Sequence, residues 1–266
     1  SDFLDHMSKK DLMILNKKIY EASNIICHDV WYNINYFNKL SYYYIKNRIR
    51  HIKDYKGEII DSKLWNNIHS VKCTYNIQQN NIRLLADKKY VDLRLCKKIT
   101  DISFLGNVHT LNLSYCRKIT DISSLGNVNT LDLSNCEYIS DVSVLRNVHT
   151  LDLSNCVHIT DVSMLGNVHT LNLNNTYIKD VSMLGNVHRL YLRNCKNISD
   201  VSALGNVNTL DLSNSIIQDV SALGNVHTLD LSNSIIQDVS ALGNVKYLYL
   251  SNSIIQDVSA LGNVKY

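Results

Sequence analysis

DVSALGNVHTLDLSNS, from Asp219 to Ser234, returns almost unchanged as DVSALGNVKYLYLSNS from Asp238 to Ser253. An earlier version, DISSLGNVNTLDLSNC, occupies residues 121–136, and a weaker copy places its strand at Val71. A fixed period of 19 or 20 residues is the signature of stacked repeats. The sequence therefore predicts a solenoid whose other strands start at Val91, Leu111, Leu131, Leu151, Leu171, Leu190, Leu210, Leu229 and Leu248.

Each repeat predicts one short strand and a tight return. Side chains alternate across a strand, so Leu151 and Leu153 are expected to point inward while Thr150, Asp152 and Ser154 point outward. Nineteen or 20 residues leave no room for a full helix on the return side, so we expect tight turns or short 3₁₀ segments there. The predicted fold class is an α/β solenoid with a parallel β-sheet on one face, tight turns on the other and a helical N-terminal region.

Two polar positions are the same in all nine well-formed repeats. The first is an aspartate: Asp101, Asp121, Asp141, Asp161, Asp180, Asp200, Asp219, Asp238 and Asp257. The second is an asparagine: Asn107, Asn127, Asn147, Asn167, Asn186, Asn206, Asn225, Asn244 and Asn263. An Asp two residues before a Ser suits an Asx-type turn, and Gly-Asn suits a turn with a permissive backbone. Because an active site needs one constellation and not nine, we interpret both positions as structural.

The cysteines predict a ladder of free thiols. Five of the seven occupy the same repeat position: Cys96, Cys116, Cys136, Cys156 and Cys195. Thr176, Ser215, Ser234 and Ser253 replace them elsewhere, so the position needs a small side chain and not a bond. No secretory signal opens the chain, and no apolar run has the length of a membrane span. We therefore expect reduced thiols, a cytoplasmic location and no membrane contact.

Composition divides the chain near residue 65. Residues 1–90 carry 15 Lys and Arg against 9 Asp and Glu, whereas the remainder carries 12 against 15. We predict a helical region over residues 1–65 and about ten repeats over residues 66–266. A basic helix face is expected in the first region, and we interpret it as solvated, since a patch that binds nucleic acid or a membrane is the less favoured alternative. Its residues are Lys39, Lys46, Arg48, Arg50 and Lys53.

The pattern LxxLxLxxC/NxxIxDxSxL resembles the leucine-rich repeat, and the phrase from Cys156 to Asp161 resembles its cysteine-containing variety. The I-x-D-V-S-x-L phrase is similar to bacterial internalin repeats, although the present repeat is shorter. Over residues 66–266 the chain also resembles short-repeat proteins of giant viruses of protists, such as Cafeteria roenbergensis virus. This resemblance implies a concave parallel sheet, and, if the origin is viral, a location in the host cytoplasm.

Residues 3–31 resemble the second half of an F-box. The similarity lies in FLDHMSKKDLMILNKKIYEASN, from Phe3 to Asn24, followed by Trp31; the usual opening Leu-Pro-x-Glu helix is absent. F-box proteins are substrate receptors of cullin-type ubiquitin ligases, in which repeats hold the target. The resemblance therefore implies that residues 3–31 bind a ligase adaptor.

Function is expected to lie in protein binding, because a solenoid exposes one long surface to which every repeat contributes. Most outward residues are Thr, Asp and Ser, and the departures from them are the predicted protein-binding residues: Arg189, Tyr191, Arg193, Lys246, Tyr247 and Tyr249. Two alternatives stay open. The tyrosines interrupt a row of stacked carboxylates such as Asp211 and Asp230, which is a purely structural role. The second alternative is that the whole chain is a structural or virion-associated repeat protein without a ligase role.

Enzymatic and metal-dependent functions are not predicted. A ladder of histidines lies beside the strand starts: His109, His149, His169, His188 and His227. Such a ladder offers only imidazole ligands, placed in a row at the spacing of neighbouring strands, and it does not form the tetrahedral set of ligands that zinc needs. No single repeat departs from the others to form a nucleophile with its base. We therefore assign no catalytic, metal-binding or cofactor-binding residue.

The C-terminal end predicts self-association. The strand from Leu248 to Leu250 has no following coil, so Leu261 and Val264 lack partners. An uncovered strand edge invites pairing with another chain. We expect this end to be either truncated or buried in a contact between copies near Tyr247, Tyr249 and Tyr266, with a frayed end in a monomer as the alternative.

Overall fold

The protein forms one parallel β-sheet along its whole described length. A computed structural model describes residues 32–33, 51–57, 62–262 and 264. Twelve strands in this part of the chain follow one another in chain order, and each pairs in parallel with its neighbours. They are β1 (Tyr32–Asn33), β2 (His51–Tyr55), β3 (Ser70–Cys73), β4 (Tyr90–Asp92), β5 (Thr110–Asn112), β6 (Thr130–Asp132), β7 (Thr150–Asp152), β8 (Thr170–Asn172), β9 (Arg189–Tyr191), β10 (Thr209–Asp211), β11 (Thr228–Asp230) and β12 (Tyr247–Tyr249).

The return side of each coil is a short 3₁₀ segment, as the repeat length predicts. One helix of six residues, α1 (Ser62–Asn67), precedes β3. The 3₁₀ segments are Gln79–Leu85, Ser103–Leu105, Ser123–Asn127, Ser143–Asn147, Ser163–Leu165, Ser182–Leu184, Ser202–Asn206, Ser221–Asn225, Ser240–Leu242 and Ser259–Leu261. The predicted leucine-rich-repeat architecture, with a parallel sheet on one face and 3₁₀ turns on the other, is therefore confirmed.

One continuous apolar core fills the space between the sheet and the 3₁₀ side. In a typical coil the strand contributes Leu111 and Leu113, and the return contributes Ile119 and Leu125, all fully buried. Burying one such side chain stabilises the fold by about 1.5–3 kcal/mol relative to leaving it exposed. Because each coil buries the same positions against its neighbours, the apolar pattern of the repeat fixes the register of the sheet.

A left-handed residue turns the chain after each strand. Asn135 has φ 59°, and its N–H donates to the Ser154 carbonyl of the next coil (2.9 Å). Asparagine tolerates this conformation better than most residues with a side chain. Seven of the nine non-glycine residues with positive φ in the described chain are asparagines, and the exceptions are Leu95 and Tyr115.

The invariant aspartate closes the turn before nine of the ten described 3₁₀ segments, all except Gln79–Leu85. Oδ1 of Asp161 accepts the Ser163 N–H at 2.9 Å, and all nine repeats show the same bond. The Ser163 amide, and to a lesser extent the Ser163 hydroxyl, lowers the pKa of the Asp161 carboxyl by binding its charged form. The predicted Asx-type role is confirmed. No contact in the described part of the chain explains the invariance of the asparagine at Asn107 and its equivalents.

The glycine before that asparagine has a different role from the predicted one. Its backbone is right-handed, with φ −63° at Gly106 and −60° at Gly166, so no permissive conformation is needed. A Cβ there would collide with the next coil, against the Ser124 carbonyl oxygen at Gly106 and that of Met183 at Gly166. Close approach of neighbouring coils is therefore the reason for glycine. Arg146 is the exception, and no contact in the described residues explains why a side chain is accepted at that position.

The sheet begins before residue 66. Ile52 of β2 pairs with Val71 of β3, so the described parts of the predicted helical region, apart from α1, include two strands. Lys53 therefore lies on a strand and not on a helix. The other residues of the predicted basic helix face, and the F-box-like residues 3–31, lie outside the described residues. The domain boundary at 65/66 stays a prediction.

A buried lysine joins helix α1 to the first coils. Lys88 stands where later repeats have Val, is 2% exposed, and donates to the Trp65 carbonyl (2.9 Å) and to Asp87 (3.1 Å). Its ammonium also lies 4.3 Å from the centre of the Trp65 ring, close enough for a cation–π contact. Burial lowers the pKa of Lys88, and the Asp87 carboxylate opposes that shift. The irregular sequence of this coil thus serves the packing of α1.

Candidate protein-binding surface

The outward face of the sheet carries regular rows of side chains, because parallel pairing stacks equivalent positions. The second outward position of each coil forms what we name the middle row. Its members in spatial order are Asp92, Asn112, Asp132, Asp152, Asn172, Tyr191, Asp211, Asp230 and Tyr249. Adjacent members are about 4.8 Å apart, the spacing of neighbouring strands. Charge and hydrogen bonding along this row distinguish one part of the surface from another.

In the first half of the row, neighbouring groups satisfy the carboxylates. Asp132 and Asp152 are adjacent, and each accepts from an amide on its other side: Asn112 donates to Asp132 (2.8 Å) and Asn172 to Asp152 (2.9 Å). Each aspartate also accepts the backbone N–H and the hydroxyl of the serine two residues later. Three donors therefore hold each carboxylate, and this part of the face is internally satisfied.

The structure places the first three predicted binding residues on one strand. Arg189 and Tyr191 lie on the outward side of β9, and Arg193 follows two residues later on the same side. Both arginines are exposed and make no ion pair within the described part of the chain. Arg94 at the equivalent position of an earlier coil behaves differently, because it pairs with Asp92 at 2.9 Å. Arg193 has a tyrosine where Arg94 has that aspartate, so its charge is left unpaired.

The other three predicted residues lie three strands away. Tyr247 and Tyr249 lie on β12, and Lys246 precedes them. The Lys246 ammonium is 5.4 Å from the centre of the Tyr247 ring, and Tyr247 packs against His227 with ring centres 5.5 Å apart. Tyr249 is 47% exposed. The six residues thus form two clusters on one face, separated by β10 and β11 and by about 14 Å.

The residues between the two clusters were not predicted as part of the site. Asp211 and Asp230 are adjacent in the middle row, with Tyr191 on one side and Tyr249 on the other. Among the described residues, each side-chain carboxylate accepts one hydrogen bond, from the backbone N–H of Ser213 (2.9 Å) or Ser232 (2.8 Å). The signal was present in the sequence, because the matched pair Asp132 and Asp152 has asparagines where this pair has tyrosines.

The histidine ladder forms a stack and not a chelating site. His149 and His169 have ring centres 4.6 Å apart, and His169 and His188 have theirs 4.7 Å apart. Desolvation lowers the pKa of His169, with further lowering by His149, His188 and Arg189. The rings of the first pair are nearly parallel, at 10°, and those of the second pair are tilted by 32°. Within the described ranges, no three His, Cys, Asp or Glu side chains are arranged to hold a metal ion.

The cysteine ladder is a set of buried hydrogen-bond donors. The Cys116 thiol donates to the Leu93 carbonyl of the preceding coil at 3.1 Å, and Cys136, Cys156 and Cys195 repeat the contact. All six described cysteines are free, in agreement with the prediction; Cys27 lies outside the described residues. Burial raises the pKa of Cys116 and of Cys156 to about 12. Protonated, buried thiols are poor nucleophiles.

Packing loosens at the last described coil. Val258 is 50% exposed, whereas its equivalent Val239 is 2% exposed, and Leu250 and Ile255 are only partly buried. Among the described strands, β12 pairs only with β11. Self-association through this end stays a prediction.

None of the helices in the described part of the chain has the length and apolar character needed to cross a bilayer.

Solved structures with similar folds are leucine-rich-repeat proteins. An internalin, InlF of Listeria monocytogenes, is 20% identical with a TM-score of 0.56, over 79% of this chain and 84% of that one. The functional domain of InlJ from the same organism, described as including a cysteine ladder, is 20% identical with a TM-score of 0.54. That match covers 77% of this chain but only 54% of the InlJ chain. At this identity the likeness establishes the fold alone.

No protein-family model matches the chain, and no curated protein matches it either. The fold class is therefore a leucine-rich-repeat solenoid.

Proposed function

We propose that the chain is a protein-binding module whose partner contacts the outward face of β9–β12. The observation that carries this proposal is the unpaired charge and exposed aromatic surface of that region. Arg189, Tyr191 and Arg193 replace the Thr, Asp and Ser of the regular face, and no described residue neutralises either arginine. Arginine and tyrosine are the residues that most often dominate binding energy at protein interfaces.

The regular part of the same sheet provides the internal contrast. Over β5–β8 the middle row consists of carboxylates and amides that satisfy one another. Over β9–β12 it consists of tyrosines and carboxylates without such bonds. Keeping polar groups unsatisfied on a surface costs little in water, and it leaves their hydrogen-bonding capacity for a partner. The proposal therefore places the partner over β9–β12 and not over the whole face.

A charge-reversal comparison tests this proposal. The purified chain and two variants are used to capture proteins from a cytosolic extract, with bound proteins quantified by mass spectrometry. Arg189→Glu with Arg193→Glu is expected to reduce a specific partner at least tenfold. Lys179→Glu with Lys196→Glu carries the same charge change on exposed residues away from the strands, and it should leave capture unchanged. Equal capture by the parent chain and the first variant would refute a partner site on β9.

A narrower proposal is that the module is the substrate-recognition subunit of a cullin-type ubiquitin ligase in the cytoplasm of a host cell. It rests on the F-box-like sequence of residues 3–31 and on the resemblance to short-repeat proteins of giant viruses. Leu12→Asp with Trp31→Ala should abolish co-purification of the ligase adaptor, while the outward face of β9–β12 should still capture its partner. Presence of the chain in purified virus particles, without adaptor, would favour the structural alternative.

Self-association is the competing use of the same end of the sheet. If a second copy binds near Tyr247 and Tyr249, the mass measured by light scattering rises with concentration, and Leu250→Lys suppresses the rise. A partner of different sequence leaves the purified chain monomeric at every concentration. The two uses of this surface are thereby distinguished.

A further inference from the structure

We propose that Asp211 and Asp230, with Tyr191 and Tyr249 on either side, form a cradle for a lysine or arginine side chain of the partner. We name these four residues the cation cradle. The inference rests on the proposed protein-binding function, and it specifies the chemistry of the segment that is bound: a basic residue over β10 and β11. The four residues are consecutive in the middle row, so the cradle spans about 14 Å along the sheet.

The carboxylates of Asp211 and Asp230 have hydrogen-bond acceptor positions that no group of the described chain occupies. Each uses only Oδ1, for one backbone N–H, and in the described part of the chain Oδ2 has no donor. The matched aspartates Asp132 and Asp152 bind an asparagine amide through Oδ2, and the hydroxyl of a serine as well through Oδ1. Position, backbone and neighbouring strands are the same in the two pairs. The difference lies in the residues beside them, which are tyrosines in one case and asparagines in the other.

The chain's own cations do not fill this position. Arg189 and Arg193 lie on the neighbouring strand, yet no ion pair joins either to Asp211 or Asp230 within the described residues. Lys246 lies over the Tyr247 ring. Two adjacent carboxylates repel each other, and a cation placed over both relieves that repulsion. The pair therefore favours a positive charge supplied from outside the chain.

The flanking tyrosines favour an organic cation over a metal ion. The face of a tyrosine ring attracts an ammonium or guanidinium within about 6 Å, and Lys246 over Tyr247 shows this contact within the same strand. A divalent metal gains nothing from an aromatic ring face, because Ca²⁺ and Mg²⁺ bind oxygen ligands and water, and Zn²⁺ binds four nitrogen, sulfur or oxygen ligands. The two carboxylates have tyrosines and no further metal ligand beside them in the middle row, and no metal-binding group of three occurs in the described ranges. The cradle thus suits a basic side chain.

The neighbouring arginines indicate how the bound partner segment is oriented along the sheet. Arg189 and Arg193 lie beside Tyr191, at the β9 end of the cradle. A segment with a basic residue over Asp211 and Asp230 therefore finds a complementary site for an acidic residue at its β9 end. Because two partner charges must match two surface charges, the surface selects mixed-charge segments over uniformly basic ones.

The test titrates the isotope-labelled full chain with defined peptides and follows tyrosine and backbone resonances by NMR. The probes are acetylated, amidated tetralysine, tetraglutamate and the mixed peptide Glu-Gly-Gly-Lys. Tetralysine is expected to bind with a Kd on the order of 1 mM, which corresponds to about −4 kcal/mol, and the mixed peptide more tightly. Shifts should be confined to β9–β12, and 0.5 M NaCl should weaken binding because these charges are partly exposed to solvent.

Two matched double variants separate the cradle from a general acidic effect. Asp211→Asn with Asp230→Asn preserves Oδ1 for the serine amides, and it should weaken tetralysine binding at least tenfold. Asp132→Asn with Asp152→Asn removes the same charge, and it should change binding less than twofold. Tyr191→Leu with Tyr249→Leu should weaken binding about three- to tenfold through the lost ring faces.

Several results would overturn the cradle. The first is the absence of any resonance shift on adding tetralysine. The second is an equal loss of tetralysine binding in the two aspartate variants. The third is complete displacement of the peptide by 5 mM Mg²⁺, which would indicate a divalent-cation site. The proposed function has its own test in the charge reversal of Arg189 and Arg193. If that test succeeds while the peptides fail, the interface on β9–β12 stands and the cation cradle is rejected.

Discussion

At the scale of single residues, the repeats serve as internal controls for backbone strain. Seven asparagines hold the left-handed turn after the strands, but Leu95 and Tyr115 adopt φ 64° and 60° at the same position. A non-glycine residue held there costs on the order of 1 kcal/mol, and asparagine reduces the cost because its side chain suits the conformation. Both side chains are exposed, 44% and 39%, so their replacement sacrifices little packing.

We therefore expect Leu95→Asn and Tyr115→Asn each to raise the free energy of unfolding by roughly 0.5–1 kcal/mol. Urea denaturation followed by circular dichroism measures the change. The reverse substitution, Asn155→Leu, should lower stability by a similar amount. A neutral result in all three variants would show that the left-handed turn exerts no selection for asparagine.

The cysteine position carries a second residue-scale prediction. Ser215 and Ser234 are buried at this position, and their hydroxyls have no hydrogen-bond partner in the described structure. Cys195 at the same position reaches the Leu173 carbonyl of the preceding coil, since its C–S bond is longer than a C–O bond. A buried polar group without a partner costs about 1–3 kcal/mol.

Ser215→Cys and Ser234→Cys are accordingly expected to stabilise the protein by about 1 kcal/mol each. Thermal unfolding under reducing conditions measures the gain. Cys156→Ser is the reverse control and should be destabilising. Loss of stability in the two serine-to-cysteine variants would mean that the coil spacing there cannot accept the larger sulfur atom.

At the scale of the repeating element, nine aspartate turns titrate together. The serine amide two residues later lowers the pKa of each carboxyl below its usual 3.8. A lowered folded-state pKa means that the charged form favours folding. The contribution is complete above the unfolded value near pH 4, and it disappears as the pH falls through the lower folded-state value.

The contribution of the aspartate turns should therefore be constant from pH 7 to pH 5 and should fall steeply below pH 4, whereas the lowered pKa of His169 causes a separate loss of stability below about pH 6.5. Asn keeps the Oδ1 acceptor but does not titrate, so Asp121→Asn with Asp141→Asn and Asp161→Asn should flatten the acid limb. Guanidinium unfolding at a series of pH values compares this variant with the parent chain. Identical pH profiles for the two proteins would contradict a role for these carboxylates in acid unfolding.

The element scale also shows which parts of the structure can be predicted from sequence. Strand positions, the inward leucines, the short 3₁₀ return and the aspartate turn all follow from one repeat, because each depends on local spacing. The role of Gly106 and its equivalents depends on the distance to the next coil, which no single repeat reveals. The placement of Ile52 and Lys53 likewise depends on pairing with β3, which puts these two residues on a strand where the sequence pattern predicted a helix.

At the scale of the whole molecule, a uniform scaffold carries one irregular surface. The sequence located the irregular residues of β9 and β12 but not the carboxylates between them. Asp211 and Asp132 look identical within their own repeats, and only the residues stacked beside them differ. Their assignment needed the register of the sheet and its hydrogen bonds. Function in such a solenoid is therefore a property of neighbouring coils and not of a motif.

The most direct measurement of this account is site-specific photo-crosslinking from the two faces of one coil. Tyr191→p-benzoylphenylalanine places the probe on β9, and Met183→p-benzoylphenylalanine places it on the exposed 3₁₀ side of the same repeat, where Met183 is 60% exposed. We expect a discrete crosslinked partner from position 191, lost on adding Asp211→Asn with Asp230→Asn, and none from position 183. The same partner crosslinked from position 183 and not from 191 would contradict the central claim.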